Sequence, residues 1–439
     1  MLLGTQRTNG AGRLEIGGCD AVELAARFGT PLYVIDEEAF RGACRAYREA
    51  FAKRWPNSLI SFSGKAFLTL ASCRLVEQEG LALDVCSGGE LYTALQAGFP
   101  PERIIVHGNN KSHAELREAL ESRAGLIVVD SLWELELLEA AARQRGRRAD
   151  ILLRLAPGVE ADTHTHIRLG QVDTKFGLSP AGGQAMEGVK RALALPNLSL
   201  RGIHCHIGSQ ILELRPFREA VQMMVDFLAQ VKAETGRELE DLDLGGGLGS
   251  RYLSDQQPPS VEEYAEAIVA ALKAALAKHG LREVRLLQEP GRSLVAEAGT
   301  TLYAVGAIKE VPGVRKYVSV DGGLSDNPRP ALYQARYEAI VANKATLPPA
   351  ERVTIAGKHC ETDLLIEEID LPPLAPGDIL AVQTTGAYNY SMASNYNRFP
   401  RPCCVLVSGG EADVIVARES YDDLVRGDRL PPRLKEKRG

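Results

Sequence analysis

Short apolar runs alternate with longer stretches in which apolar residues return every three or four positions. The short runs predict strands over Leu59–Ser63, Leu83–Cys86, Ile104–His107, Leu126–Asp130, Asp150–Leu155, Leu200–His206, Asp241–Leu244 and Val284–Glu289. The longer stretches predict helices over Leu68–Glu79, Glu90–Ala97, Ala114–Ser122, Leu132–Arg145, Pro180–Leu195, Pro216–Thr235 and Val261–His279. Period-two runs bury a strand, whereas a 3.6-residue period buries one face of a helix. Eight strands separated by helix-length segments read as a (β/α)8 barrel, an α/β fold built from right-handed repeats.

The texture changes after about residue 298. Tyr303–Val311, Lys316–Asp321, Arg352–Ile355, Asp378–Val382, Cys404–Ser408 and Ala412–Val416 read as strands between Pro- and Gly-rich turns. They predict a mostly β C-terminal domain. The N-terminal run Pro31–Ile35 is expected to pair with it. The division expected is therefore 36–298 for the barrel, and 1–35 with 299–439 for the β-rich domain.

The chain has 439 residues, 45% hydrophobic and 25% charged, with a net charge of −6. That charge argues against nucleic acid as a partner, since phosphate binding needs a basic face. The first residues have no apolar core of a secretory signal, and no apolar run is long enough for a membrane span. The eight cysteines show no paired spacing. Reduced thiols and a cytoplasmic location are the expectation.

Barrels gather functional groups at the C-terminal ends of their strands. Lys65, Asp84, His107, Arg154, His206, Gly245, Gly246, Gly247 and Glu289 all fall there. Any one of them alone is more simply a satisfied core group; together they point to a site. A lysine ammonium at the end of a buried strand is costly unless paired or neutralised. Imine formation with an aldehyde wants such a lysine, and pyridoxal phosphate is the commonest aldehyde cofactor. The run Asp243-Leu244-Gly245-Gly246-Gly247 could aim backbone N–H groups at a phosphate, or simply make a tight turn. His204-Cys205-His206 has two readings. One is a metal pair completed by Asp84 and His107; the other is an imidazole stacked on a flat cofactor ring. In the β-rich part, Arg329 with Tyr333 suits a substrate carboxylate. Tyr388 lies in a second polar-aromatic loop. Cys360-Glu361 reads by itself as a buried thiol beside a surface acid.

The ordered motifs carry a resemblance. They are Ser63-Gly64-Lys65-Ala66-Phe67, Leu83-Asp84-Val85-Cys86-Ser87-Gly88-Gly89, His107-Gly108-Asn109-Asn110-Lys111 and Thr174-Lys175-Phe176-Gly177. His204-Cys205-His206-Ile207-Gly208-Ser209-Gln210, the triple glycine and Glu289-Pro290-Gly291-Arg292 follow. Arg329-Pro330-Ala331-Leu332-Tyr333, Cys360-Glu361 and Gly386-Ala387-Tyr388 complete the set. Over nearly its whole length the chain resembles the diaminopimelate decarboxylases, pyridoxal-phosphate enzymes of the alanine-racemase-like class.

The resemblance implies decarboxylation of meso-diaminopimelate to L-lysine and CO2, the last step of lysine biosynthesis. It implies that Lys65 carries the cofactor, His206 stacks on its ring and Glu289 bonds the pyridine nitrogen. Asp84 would lie beside the cofactor. Gly245, Gly246, Gly247, Gly291 and Arg292 would surround the phosphate with Ser209 near it, and Pro290 would also contact the cofactor. Arg292, Arg329, Tyr333, Glu361 and Tyr388 would contact substrate, Tyr388 touching the cofactor as well. Cys360 would donate the proton, arriving from the partner subunit of a homodimer with shared sites. No metal is implied. The alternatives are another basic amino-acid decarboxylase on the same scaffold, or a non-catalytic homologue. Two departures from the family pattern stand out. Cys360-Glu361-Thr362-Asp363 is one residue shorter than the Cys-Glu-Ser-Gly-Asp of many relatives. Gly64 stands where relatives often carry Ser or Val, which should loosen the backbone before the lysine.

Overall fold

The computed structural model describes residues 2–159 and 174–434. Eight parallel strands close a barrel in sequence order: Ser58–Ser63, Ala82–Val85, Ile104–Val106, Leu126–Val129, Ala149–Leu155, Leu198–Cys205, Asp241–Asp243 and Arg285–Gln288. The eighth pairs with the first, Leu286 opposite Ser58 and Gln288 opposite Ile60. The (β/α)8 expectation holds, with strand ends displaced by no more than two residues. Six of the seven expected helices form where they were placed, give or take two residues, and the seventh starts later, at Gln184. Inside the barrel, Ile105, Leu126, Val128, Leu152 and Leu287 form a small apolar plug. The larger core lies between the strands and the surrounding helices. The apolar plug excludes water from below, so polar groups must cluster at the opposite end.

One barrel helix was not read from the sequence. Glu37–Arg54 precedes the first strand, with the Asp36 carboxylate accepting from Ala39 N as its cap. Phe40, Cys44, Tyr47 and Phe51 form its buried stripe. The rings of Tyr47 and Phe51 meet Tyr264 of the helix Val261–His279 at 6.3 and 5.8 Å. This helix packs on the first strand and on Arg292–Val295, the short helix that follows the eighth strand.

The mostly β part is organised around the long strand Gly299–Val311, which begins before the expected Tyr303. It pairs antiparallel with Leu32–Asp36, Arg315–Val320 and Ile379–Gln383. The N-terminal strand Leu32–Asp36 thus joins this sheet, as expected, and also runs parallel to Cys403–Ser408. Five strands escaped the sequence reading: Arg7–Thr8, Leu14–Ile16, Cys19–Asp20, Ala339–Val341 and Leu364–Leu371. Among the described residues, no helix is long and apolar enough to cross a membrane.

Candidate active site

The strand ends and the loop carrying Tyr388 enclose a cavity of about 470 Å³. Lys65 enters it from the single turn Gly64–Ala66, directly after the first strand. Ala66 O accepts from Tyr388 N at 2.9 Å and from Ser391 Oγ at 3.0 Å, so the β-rich part is fastened to the lysine turn. A Cβ on Gly64 would lie 2.8 Å from Asp84 O. The glycine before the lysine therefore permits close packing against the second strand, which corrects the expectation of a looser backbone. The Lys65 side chain opens onto the cavity itself while protein surrounds it. Burial works against its charge, but Cys86, Asp84, Tyr388 and Glu289 prevail and hold the ammonium above the usual lysine range.

Glu289 follows the eighth strand. Its Oε1 lies 2.7 Å from His107 Nε2 and its Oε2 lies 3.2 Å from His204 Nε2. Burial alone would raise this carboxyl; the two imidazoles outweigh it and keep Glu289 well below the usual range. Burial pushes His204 down to about 3, so its ring is neutral. Burial, then the facing Glu289, pushes Asp243 well above the ordinary carboxyl value. Asp84 rises to about 6, from burial and then Glu289. Both acids beside Glu289 thus resist ionisation, against the well-lowered Glu289.

His107, His204 and Glu289 bring their donor atoms within 4.8 Å of one another. This trio differs from the metal set weighed from sequence, because Asp84 and His206 are not in it. His206 lies past the end of its strand and turns elsewhere: its Nδ1 accepts from Gly246 N at 3.3 Å. Burial, then Lys65, holds its ring neutral.

Beside the main cavity is a recess walled by Ser209, Gly247, Leu248, Gly291 and Arg292. The glycine run does not present three amides to it. Gly245 N donates to Asp243 Oδ1 at 2.8 Å and Gly246 N donates to His206 Nδ1. A Cβ on Gly246 would meet Glu289 O at 2.2 Å. Two of the three glycines are therefore required by packing between strand ends, and Gly247 alone of the three faces the recess. Pro290 is not part of either wall; its O accepts from Ser63 N at 3.0 Å.

Arg292 donates through Nε and NH2 to Ser209 Oγ, both at 3.1 Å, and through NH1 to Tyr252 OH at 2.6 Å. Arg329 Nε donates to Tyr337 OH at 2.8 Å, and the rings of Tyr252, Tyr333 and Tyr388 surround its guanidinium within 5.9 Å. Both arginines are buried, and among the described residues neither has a carboxylate partner. A buried guanidinium lacking an acid is set up to receive one.

Lys65, Asp84, His206, Ser209, Glu289, Arg292, Arg329, Tyr333 and Tyr388 meet around one cavity. Cys360 and Glu361 do not reach it. Both are exposed on a surface tip, so the thiol is not buried as its sequence alone implied. Sequence reasoning had set Arg154 at a strand end, weighed His204 as half of a metal pair and quoted Phe176 in a motif, but it missed Tyr252. Arg154 lies 4.2 Å over the Phe176 ring at the cavity wall. Tyr252 gave no signal, because its loop has neither period nor motif.

The pyridoxal binding domain of the pyridoxal-dependent decarboxylases matches residues 38–296. A diaminopimelate decarboxylase of Bacillus subtilis (strain 168) is 50% identical over 97% of this chain and 98% of its own length. The chain belongs to the diaminopimelate decarboxylase family. The diaminopimelate decarboxylase of M. jannaschii, solved in co-complex with L-lysine, superposes with a TM-score of 0.93 at 40% identity, covering 99% of this chain and 100% of that one. A lysine/ornithine decarboxylase of Vibrio vulnificus, solved with cadaverine, stands further off at a TM-score of 0.75 and 27% identity, covering 88% of this chain and 96% of that one.

Membership makes this a carboxy-lyase whose cofactor is pyridoxal 5'-phosphate. The residues fit that group. A primary amine opens onto the cavity, a carboxylate held ionised lies among its walls, and the adjoining recess offers the Gly247 and Gly291 backbone. A Cβ at Gly247 would meet Gly208 O at 2.6 Å, and one at Gly291 would meet Ser63 Cβ at 2.9 Å. Both positions therefore need glycine for packing, and both leave their backbone open to the recess.

Proposed function

We propose that the chain converts meso-2,6-diaminopimelate to L-lysine and CO2. When bound, pyridoxal phosphate supplies a conjugated ring that takes up the electron pair left by the departing carboxylate. Lys65 would hold the cofactor through its amine. Glu289 holds a proton on the pyridine nitrogen, supported by the hydrogen bonds from His107 and His204. The neutral His206 ring and Asp84 would help hold the cofactor ring. Gly247, Gly291, Ser209 and Arg292 take the phosphate, while Gly245, Gly246 and Pro290 shape that recess from behind.

Arg329, with Tyr333 and Tyr388, takes the carboxylate that the product retains. Arg329 carries the choice of substrate. Buried and without an acid, it matches a dicarboxylic amino acid better than ornithine or lysine, which lack a second carboxylate. Cys360 and Glu361 act in the cavity of a second copy, Cys360 delivering the proton to the α-carbon and Glu361 holding the distal ammonium. Their exposed position supports a homodimer with shared sites. In this reading, 36–298 carries the cofactor, and 1–35 with 299–439 supplies substrate and dimer contacts. The cytoplasm, where lysine is made, is the place of action.

The test is lysine and CO2 release from meso-diaminopimelate by purified protein with added cofactor. Faster release from ornithine or lysine would replace this reading with a broader basic amino-acid decarboxylase.

A further inference from the structure

The tip that bears Cys360 and Glu361 is built unlike its surroundings. Cys360, Glu361 and Thr362 are exposed, yet the residues on either side, His359 and Asp363, have side chains 0% and 5% exposed. The two are bonded to each other, His359 Nδ1 lying 2.6 Å from Asp363 Oδ2. Asp363 Oδ2 also accepts from His359 N at 3.3 Å, and Oδ1 accepts from Leu324 N at 2.9 Å. His359 Nε2 accepts from Ser325 N at 3.3 Å. An acceptor at Nε2 and a donor at Nδ1 define the neutral tautomer, so every polar atom of the ring is satisfied.

The carboxylate lies against bare backbone. A Cβ on Gly323 or Gly357 would fall 2.0 or 1.9 Å from Asp363 Oδ2. Gly357 N donates to Asp363 O at 2.7 Å, closing the base of the tip. The His359 ring packs edge-on to Phe399 at 4.9 Å and stacks with Tyr396 at 6.1 Å. That aromatic wall bonds the tip itself: Tyr396 OH donates to Glu361 Oε1 at 2.6 Å, and Cys360 N donates to Asn397 Oδ1 at 2.9 Å.

We propose that His359 and Asp363 are positioning residues for the reaction, clamping the shortened tip so that Cys360 and Glu361 are presented ready-ordered to the cavity of a second copy. The proposal rests on the reading of Cys360 and Glu361 given above. Ordering three exposed residues costs conformational entropy at every encounter unless the protein has fixed them beforehand. The clamp also joins the tip to the Gly323–Ser325 loop, whose continuation carries Arg329 into the chain's own cavity. A tip lacking the family's glycine has less freedom to find its pose, and the His359–Asp363 bond sets that pose directly.

The test is a double-mutant cycle read by kcat. His359→Ala in the otherwise wild-type holoenzyme should lower kcat at least tenfold while cofactor absorbance is kept. His359→Asn, which can still donate to Asp363, should recover part of it. In a Cys360→Ala background the same His359→Ala change should have little further effect, because the two act on one step. Equal losses in both backgrounds, or no loss in the wild type, overturn the proposal. Hydrogen exchange of the 357–364 segment gives a second measurement: Asp363→Asn should speed it without changing the barrel strands, and unchanged exchange counts against the clamp. If Cys360→Ala is as active as wild type, the role of Cys360 fails first, and the clamp fails with it.

Discussion

His107 Nε2 stands 2.7 Å from Glu289 Oε1, inside a cavity wall that leaves both side chains 6% exposed. The bond fixes the orientation of the carboxylate and helps keep it ionised. Glu289→Gln should therefore lower kcat by on the order of 10², the usual cost of removing one preorganised electrostatic group. His107→Phe should lower it less, since His204 still bonds the other oxygen. KM should move little in either variant. A Glu289→Gln enzyme with wild-type kcat would contradict the role given to this carboxylate.

Arg329 makes a different prediction, because it should act on binding. Arg329→Met removes the partner proposed for the retained carboxylate. A hydrogen bond to a charged group contributes about 1.5–3 kcal/mol, so KM for meso-diaminopimelate should rise roughly 10- to 150-fold. Arg329→Lys should restore only part, since the planar fork is lost. Activity toward a monocarboxylic diamino acid should be much less affected. Equal losses on both substrates would show that Arg329 does not read the second carboxylate.

How much of this was legible differs by element. The barrel was, because each strand is a short apolar run between clear helical stripes. The helix Glu37–Arg54 carried the same kind of signal: the Asp36 cap and the stripe Phe40, Cys44, Tyr47, Phe51. Leu364–Leu371 was harder, since Glu367, Glu368 and Asp370 interrupt its apolar pattern on an exposed stretch. In the site, Lys65 and Glu289 could be picked out by residue type at strand ends. The work of Gly245 and Gly246 could not, because a sequence does not tell an amide aimed at a ligand from one aimed at Asp243 or His206. The His359–Asp363 bond was also illegible, since burial on both sides of an exposed tip comes only from tertiary packing.

His204 gives a pH prediction. Its folded value of about 3 lies below the ordinary 6.5, so the unfolded chain takes up the proton first as the solution is acidified. The stability it contributes is fully present above pH 6.5 and is lost as pH falls toward 3. Asp84, raised from 3.8 to about 6, has the opposite sign: its contribution is present at low pH and is lost as pH rises from about 4 to 6. The two partly offset in the wild type, so a variant is needed to separate them. The unfolding free energy of wild type minus His204→Gln should shrink between pH 6.5 and 4, by on the order of 1 kcal/mol per unit. A difference that does not change with pH would refute the neutral, buried His204.

Away from the cavity, Lys111 Nζ reaches Glu134 Oε1 at 2.6 Å, with both side chains almost fully buried. Nζ also donates to Gly108 O and Val128 O, each at 2.7 Å, tying the loop after the third strand to the fourth. Lys111→Met leaves Glu134 charged and unpaired, which costs about 3–5 kcal/mol. Lys111→Met with Glu134→Gln should recover much of that loss. Denaturant unfolding of the two variants checks it; a single variant as stable as wild type would mean the pair contributes little.

The shared site is testable without a structure of the dimer. Lys65→Ala removes the anchor from a chain's own cavity, whereas Cys360→Ala removes a thiol exposed outside it. Each variant alone should be nearly inactive. Mixed and allowed to exchange subunits, they should form dimers in which one cavity keeps Lys65 and receives a native Cys360 from the other chain. Decarboxylation should therefore reappear on mixing and grow as exchange proceeds. If Cys360 served its own chain, no combination of the two variants would contain a complete site. A mixture that stays silent after exchange has been verified would place the thiol in the cavity of its own chain.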